Sequence, residues 1–297
     1  MPRKSTAAYQ GPPSWLDASA ERSVERSPTR YATRAEFIAA AMRALLALGL
    51  SVTQAANVTA NAINESGWGR SVVWGNAGGW KITRGYVAAW RARHGGACPP
   101  WWKARGNVDS ADSDWCFYRC FEGLDAFLRE WCEHFIPRPG EAAPYPGYRT
   151  AGARFWAGDA RWFGELILVG YKGAPSQIRM RALRVLGADD ARHPSVRDHR
   201  SIVRSVLTIW AQLRLGLDPD GAWGPKSRAA CSAWQRAHGL AVTGEPDDAT
   251  IAALEAPAQA DDARTHAVAE DLRAHGAVVT DAEVDAQIDA AAKALGG

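Results

Sequence analysis

Apolar residues recur at helical spacing along much of the chain, and glycines cut that pattern into short runs. The combination restricts the fold to one built mainly from short α-helices. The first run, Arg34 to Leu48, is rich in Ala and Leu and ends at Gly49. The second carries the most information. Ser51 followed three residues later by Gln54 forms a capping box. Val52, Ala55, Ala56, Thr59, Ala62 and Ile63 then share one face, and Gly67 stops the helix. Glu65 falls in the last turn, on the flank of the buried face. Further helices are expected over Gly123 to Phe135, Arg154 to Val169, Pro175 to Leu186 and His199 to Leu213. From Ser66 to about Asp114 the periodicity fails. That stretch holds Trp68, Trp74, Trp80, Trp90, Trp101 and Trp102 among many glycines. Irregular segments of this length are uncommon and often functional, and some short strands are expected within it.

The chain divides into four parts on this reading. Residues 1–32, polar and rich in Ser, Pro and Arg, read as a flexible N-terminal arm. Residues 33–213 form the main helical domain, with a small β/loop lobe beside Glu65. Residues 214–256 form a separate compact unit: a turn at Asp218-Pro219-Asp220-Gly221, a helix over Lys226 to His238, a turn over Gly239 to Gly244 and a helix over Asp247 to Leu254. Residues 257–297 form an acidic, Ala-rich tail, expected to be helical, with Val279, Val284, Ile288, Ala292 and Leu295 on one weak apolar face.

Charge follows the same division. The net charge of +3 hides a basic region of +10 over residues 1–205 (28 Lys/Arg against 18 Asp/Glu), −2 over 206–256 (4 against 6) and −5 over 257–297 (3 against 8). A basic main domain suits an anionic polymer. Nucleic acid is not the expected partner, because no basic stripe with interleaved aromatics and no zinc-finger spacing is present. Met1-Pro2-Arg3-Lys4 leads into polar residues, so no secretory signal is read. The longest apolar stretch, Ala39 to Val52, contains Arg43 and is too short to insert in a bilayer. Cys98, Cys116, Cys120 and Cys132 lie close to His94 and His134 in sequence but match no standard zinc spacing. The five cysteines read as buried thiols, and no metal or cofactor is expected. The fourteen tryptophans fit either core packing or a groove in which sugar rings stack on indoles.

Cleaving a glycosidic bond requires an acid whose pKa is raised by partial burial, and stabilisation of an oxocarbenium-like transition state. Glu65, at the end of an apolar helix and followed by Ser66-Gly67-Trp68-Gly69, has the expected setting. The run Ala62-Ile63-Asn64-Glu65-Ser66-Gly67-Trp68-Gly69 resembles the catalytic motif of the bacterial glucosaminidase family, glycoside hydrolase family 73, which includes the flagellar rod muramidases. Asn76-Ala77-Gly78-Gly79-Trp80-Lys81 stands where that family has an Asn-Leu-Phe-Gly-Ile-Lys-like segment. Trp115-Cys116-Phe117-Tyr118-Arg119-Cys120 resembles its later Phe-Arg-x-Tyr segment, and Val169-Gly170-Tyr171 its Ala-Gly-Tyr segment. The resemblance covers roughly residues 35–213, with apparent insertions near 84–114 and 174–198. It implies a lysozyme-like fold with Glu65 as general acid, and Ser66, Trp68, Asn76, Trp80, Tyr118 and Tyr171 along the sugar cleft. One departure matters. Many members carry a second carboxylate between the two later segments, and no Glu lies between Lys81 and Phe117 here. Asp109, Asp112 and Asp114 are the acids available in that interval; the substrate's own N-acetyl group is the other route.

Leu217-Asp218-Pro219-Asp220-Gly221-Ala222-Trp223-Gly224-Pro225-Lys226-Ser227 resembles the opening of a peptidoglycan-binding domain of the three-helix type. Ala233-Trp234-Gln235-Arg236-Ala237-His238-Gly239-Leu240, Val242-Thr243-Gly244 and Ala249-Thr250-Ile251-Ala252-Ala253-Leu254 continue the likeness. It implies adhesion to bacterial cell wall, with Asp220, Trp223, Gln235 and Gly244 as motif candidates for contact. The expectation is therefore a monomeric, mainly α peptidoglycan hydrolase that resembles phage endolysins. It would be made in the bacterial cytoplasm, delivered by a holin, a virion or a secretion apparatus, and act on the periplasmic or extracellular wall. Cleavage as an endo-β-N-acetylglucosaminidase is favoured. Muramidase or lytic transglycosylase chemistry, or a non-catalytic wall-binding structural protein, are the alternatives.

Overall fold

The structure, a computed structural model, describes residues 11–27, 31–105, 115–143, 146–169 and 194–255. It is mainly helical, with one two-stranded sheet. The chain forms two compact units, residues 1–41 with 58–202 and residues 42–57 with 203–297. The helices expected over Pro175 to Leu186 and in the tail 257–297 lie outside the described residues.

In the first unit, α1 (Arg34–Ala47) begins and α2 (Val52–Ser66) ends. The capping box forms as the sequence demands: Ser51 N–H donates to Gln54 Oε1 at 3.0 Å, and Gln54 N–H donates to Ser51 Oγ at 3.3 Å. The apolar stripe is wider than expected. Val58, Thr59, Ala60, Asn61, Ala62 and Ile63 are all buried, because small Ala and Thr side chains let neighbours close in on every side of the helix. At its end Gly67 adopts φ 60° and Trp68 N–H donates to Ile63 O at 3.3 Å, a Schellman closure that places Glu65 one residue inside the terminus.

The stretch expected to be irregular contains one more helix, α3 (Arg84–Arg93), capped by Thr83, whose Oγ1 accepts the Tyr86 N–H at 3.2 Å. The expected strands follow: β1 (Trp101–Arg105) pairs antiparallel with β2 (Trp115–Arg119) in the register Trp101↔Arg119 to Arg105↔Trp115. Then comes α4 (Leu124–Phe135), which buries Leu124, Phe127, Leu128, Trp131, Cys132 and Phe135 on one face. The single helix expected over Arg154 to Val169 is instead two, α5 (Pro146–Trp156) and α6 (Trp162–Leu168). The break falls at Gly158, whose φ is 70°. There Asp159 binds Arg154 at 2.7 Å and Arg161 at 2.6 Å, and the Arg161 hydrogen bonds, then Arg154, hold its carboxyl well below the usual range.

Residues 11–27 are not a loose arm. Leu16 is buried with Ile82, Val87 and Trp101, and Trp15 and Ala20 pack against that cluster. Polar composition misleads here because the segment is held largely through its backbone.

The second unit takes the C-terminal part of α7 (Pro194–Arg214), then α8 (Pro225–Ala237) and a helix over residues 248–255. The boundary is expected between residues 213 and 214. Residues from 203 onward belong to the second unit together with residues 42–57, so the C-terminal part of α7 is one of its helices. All five cysteines are free, with Cys116, Cys132 and Cys231 buried. Burial pushes the Cys120 and Cys132 thiols up to about 12, which removes them as nucleophiles at neutral pH.

Candidate functional site

The motif around Glu65 is a turn in which each residue has a separate structural task. Glu65 itself is exposed. This corrects the expectation of an acid half-buried among aromatic rings: after the buried Ile63, Asn64 and Glu65 both turn to solvent, and Gly67 then turns the chain away. Ser66 is buried. Its Oγ donates to Ala62 O at 2.6 Å and accepts from Gly69 N–H at 2.9 Å, so it closes the turn rather than facing a sugar. Gly69 has φ 81°, and a Cβ there would fall 2.6 Å from the Phe37 ring. Trp68 is half-buried and sits at φ 66°, with the Arg34 guanidinium 4.5 Å above its ring centroid. Trp74, at φ 50°, is the second bulky residue in the left-handed region, which is strained for any side chain with a Cβ.

A second cluster forms around the hairpin. Asn76 is buried. Its Nδ2 donates to Trp80 O at 2.9 Å and Arg119 O at 3.0 Å, and its Oδ1 accepts the Trp80 N–H at 2.9 Å. Asn76, expected along the sugar cleft, thus staples the 76–80 loop to β2 from a buried position. Trp80 turns its ring edge-on to Phe121, Phe127, His134 and Phe135, at centroid distances of 5.5–6.2 Å. The Arg119 guanidinium lies 5.0 Å from its centroid. Arg119 also covers Tyr86 at 3.9 Å and pairs with Glu130 at 2.5 Å. Desolvation and the nearby Arg119 push the His134 pKa down, so that ring is neutral at pH 7. Tyr118 stacks on Trp102 at 4.3 Å and 16°, and Lys81 bridges to it. Desolvation raises the Tyr118 hydroxyl pKa, which keeps it a donor. Trp102 was not among the expected residues, although its register opposite Tyr118 puts the two side chains on one face of the hairpin. Asp109, Asp112, Asp114 and Tyr171 lie outside the described residues. Among the described residues no group of three His, Cys, Asp or Glu converges as metal ligands would.

The C-terminal unit is built on a repeat. Gln212, in α7, has its Nε2 within reach of Asp220 Oδ1 (2.8 Å), Ala222 O (3.0 Å) and Ser227 Oγ (3.3 Å), and its Oε1 accepts the Gly221 N–H (2.9 Å). Gln235, in α8, has its Nε2 within reach of Thr243 Oγ1 (2.9 Å), Glu245 O (3.0 Å) and Thr250 Oγ1 (2.8 Å). Its Oε1 accepts the Thr243 and Gly244 N–H groups (2.9 Å each). The offsets are the same, 8, 10 and 15 residues to the acceptors and 9 to the glycine donor. Both helices also close alike: Leu217 N–H donates to Gln212 O and Leu240 N–H to Gln235 O, each at 2.9 Å. Each turn thus folds around one buried glutamine amide.

The residues expected to touch the wall are the builders of these turns. Gln235 is fully buried, and Gly244 is buried where a Cβ would fall 2.9 Å from Ser232 Oγ. Trp223 Nε1 donates to Gly244 O at 3.0 Å, tying one turn to the other. Asp220 is exposed, but its carboxylate accepts from Ala222 N–H and Gln212, which lower its pKa. Among the described residues the large apolar side chains left exposed are Val169 and Val242, and Val242 lies in the second turn.

A family described as a peptidoglycan binding domain matches residues 204–254. The match starts within α7, one residue after the point at which that helix passes into the second compact unit, and it spans 51 of the 297 residues. Searches of curated proteins and of solved structures returned no match. The chain carries a peptidoglycan-binding module, and that ties it to the bacterial cell wall.

Proposed function

We propose that this chain is a peptidoglycan hydrolase in which a wall-binding module tethers a glycosidase centred on Glu65. The observation that carries the reading is the pairing, in one chain, of the module at 204–254 with a Glu-Ser-Gly-Trp-Gly turn that presents Glu65 at a strained, tightly closed helix end. The module raises the local concentration of glycan around the rest of the chain. Glu65 protonates the leaving glycosidic oxygen. Because Glu65 is exposed, the exclusion of water around it comes from the bound glycan. Attack on the anomeric carbon comes from water or from the substrate's N-acetyl oxygen. The bond is the one on the reducing side of N-acetylglucosamine, as the resemblance to the glucosaminidase family implies, and the half-buried Tyr118, backed by the buried Trp102, lines the glycan path. The protein acts on the periplasmic or extracellular wall, which it reaches through a holin, a virion or a secretion apparatus.

A second reading is favoured by the exposure of Glu65 and by the internal use of Ser66 and Asn76: a wall-binding structural protein on a hydrolase-like frame. Digestion of purified peptidoglycan, borohydride reduction and mass spectrometry separate the two. Reduced glucosamine ends that vanish in Glu65→Gln mark a glucosaminidase. Reduced muramic ends mark a muramidase and anhydro-muramic ends a lytic transglycosylase. Absence of Glu65-dependent products from several wall types leaves the structural reading.

A further inference from the structure

Residues 11–27 clasp the hairpin and the strained Trp74 turn without supplying any group to the chemistry above. We propose that this segment is a strap that positions the hairpin wall of the glycan cleft, with Ser27 as its principal positioning residue; this rests on the hydrolase reading and deepens it.

At one end, the strap runs beside the edge of β1 that β2 leaves open. Glu21 bridges in parallel to Trp101, and Arg22 N–H donates to Trp101 O at 2.7 Å. Trp101 Nε1 donates to Asp17 O at 2.9 Å, and Lys103 pairs with Glu21 at 2.5 Å. Leu16 closes the apolar cluster behind Trp101. The edge strand is thereby covered. At the other end, Ser27 Oγ accepts the Trp74 N–H at 2.8 Å and Ser23 O accepts the Trp74 indole N–H at 3.0 Å. A tryptophan at φ 50° holds that conformation only where its surroundings fix it, and these two bonds supply that restraint. The restraint passes onward. Trp74 O accepts the Phe121 N–H at 2.7 Å, and Gly75 packs so closely on Gly123 that a Cβ would fall 2.4 Å from its carbonyl oxygen. Asn76 then staples the loop to β2. The strap thus holds the hairpin at β1 and, through Trp74, at the end of β2. Trp102 and Tyr118 lie on the strands between those anchors, whereas Glu65 lies in the last turn of α2.

That division fixes the test. In the full chain, with soluble uncross-linked peptidoglycan strands as substrate, Ser27→Ala raises KM about fivefold, the equivalent of one net hydrogen bond, and leaves kcat within about twofold of wild type. Ser27→Thr, which keeps the oxygen, restores KM. Trp74→Phe, which deletes the indole N–H bond to Ser23 O together with part of the ring but keeps the backbone bond to Ser27, raises KM by a smaller factor. An unchanged KM in Ser27→Ala, or a fall in kcat of the same size with no change in KM, overturns the strap. If wild type shows no Glu65-dependent cleavage, the hydrolase reading fails by itself, and the strap is judged by the Kd for the same strands. A weaker Kd in Ser27→Ala, restored in Ser27→Thr, supports it; an unchanged Kd, or no binding by wild type, overturns it.

Discussion

The turn after Glu65 and the two turns of the C-terminal module all follow a helix that ends on glycine, yet they resolve their backbone in opposite ways. After Glu65 the chain places Trp68 and Trp74 in the left-handed region and leaves the acid exposed. The restraint is external, from Arg34 over Trp68 and from Ser27 and Ser23 on Trp74. In the module every positive-φ residue among those described is a glycine, and each turn is satisfied from within by one glutamine amide. The first region stores strain where chemistry is proposed; the second is a self-contained scaffold that presents a surface. Strain that depends on distant residues is tolerable only where something is gained from it.

The sharpest way to break this contrast is Glu65→Gln. Loss of wall clearing by at least about 100-fold is expected, the scale of a lost general acid. Thermal midpoint and wall pelleting should stay at wild-type levels, since the side chain is exposed and the module untouched. Residual clearing near wild type would move the chemistry elsewhere. Next comes Gln235→Ala. It strands several buried partners at once, and a loss of about 3 kcal/mol in module stability is expected, read by denaturant unfolding. Wall pelleting should fall while cleavage of short soluble glycans is retained. Gln212→Ala should match it closely; a neutral result for one of the pair would show that the two turns are equivalent in geometry but not in energy. Gly69→Ala combines a left-handed backbone with overlap on Phe37. It should destabilise by about 2 kcal/mol and lower glycan cleavage without touching wall pelleting.

The smallest effect is with pH. Hydrogen bonds from Ala222 N–H and Gln212 hold the Asp220 carboxyl below its usual range, and those from Thr250 and Thr243 do the same for Asp247. A lowered folded pKa contributes stability that is present above the ordinary aspartate value of about 3.9 and is lost as pH falls through the folded value. The module's thermal midpoint should therefore drop on acidification below that value, and Asp247→Asn should flatten the drop. An unchanged slope in that variant would remove Asp247 from the account.

Much of this was legible locally. The reciprocal bonds of Ser51 and Gln54, the stop at Gly67 and the helix over α4 depend on residues within a few positions of one another, and periodicity and capping rules read them directly. The α3 helix was hidden because Gly and Trp density around it masked the Thr83 cap. The strap was hidden because nothing local shows that Ser27 Oγ, Ser23 O and Asp17 O meet Trp74 and Trp101, 47 to 84 residues away. Ser66, Asn76 and Gln235 were placed on ligand because a polar residue in a motif looks the same whether it turns outward to a sugar or inward to a backbone amide.

By itself, the sequence determined that the chain is mainly helical, where α1, α2, α4 and α8 start and stop, and that a wall-binding module closes the described part. Those outcomes rest on short-range propensity, capping and glycine turns. Only the tertiary structure decided that α7 belongs partly to that module, that Asn76 and Gln235 are staples, and that residues 11–27 hold the hairpin. Each of these depends on which way a side chain or backbone amide faces after distant segments pack, and spacing along a chain does not carry that direction.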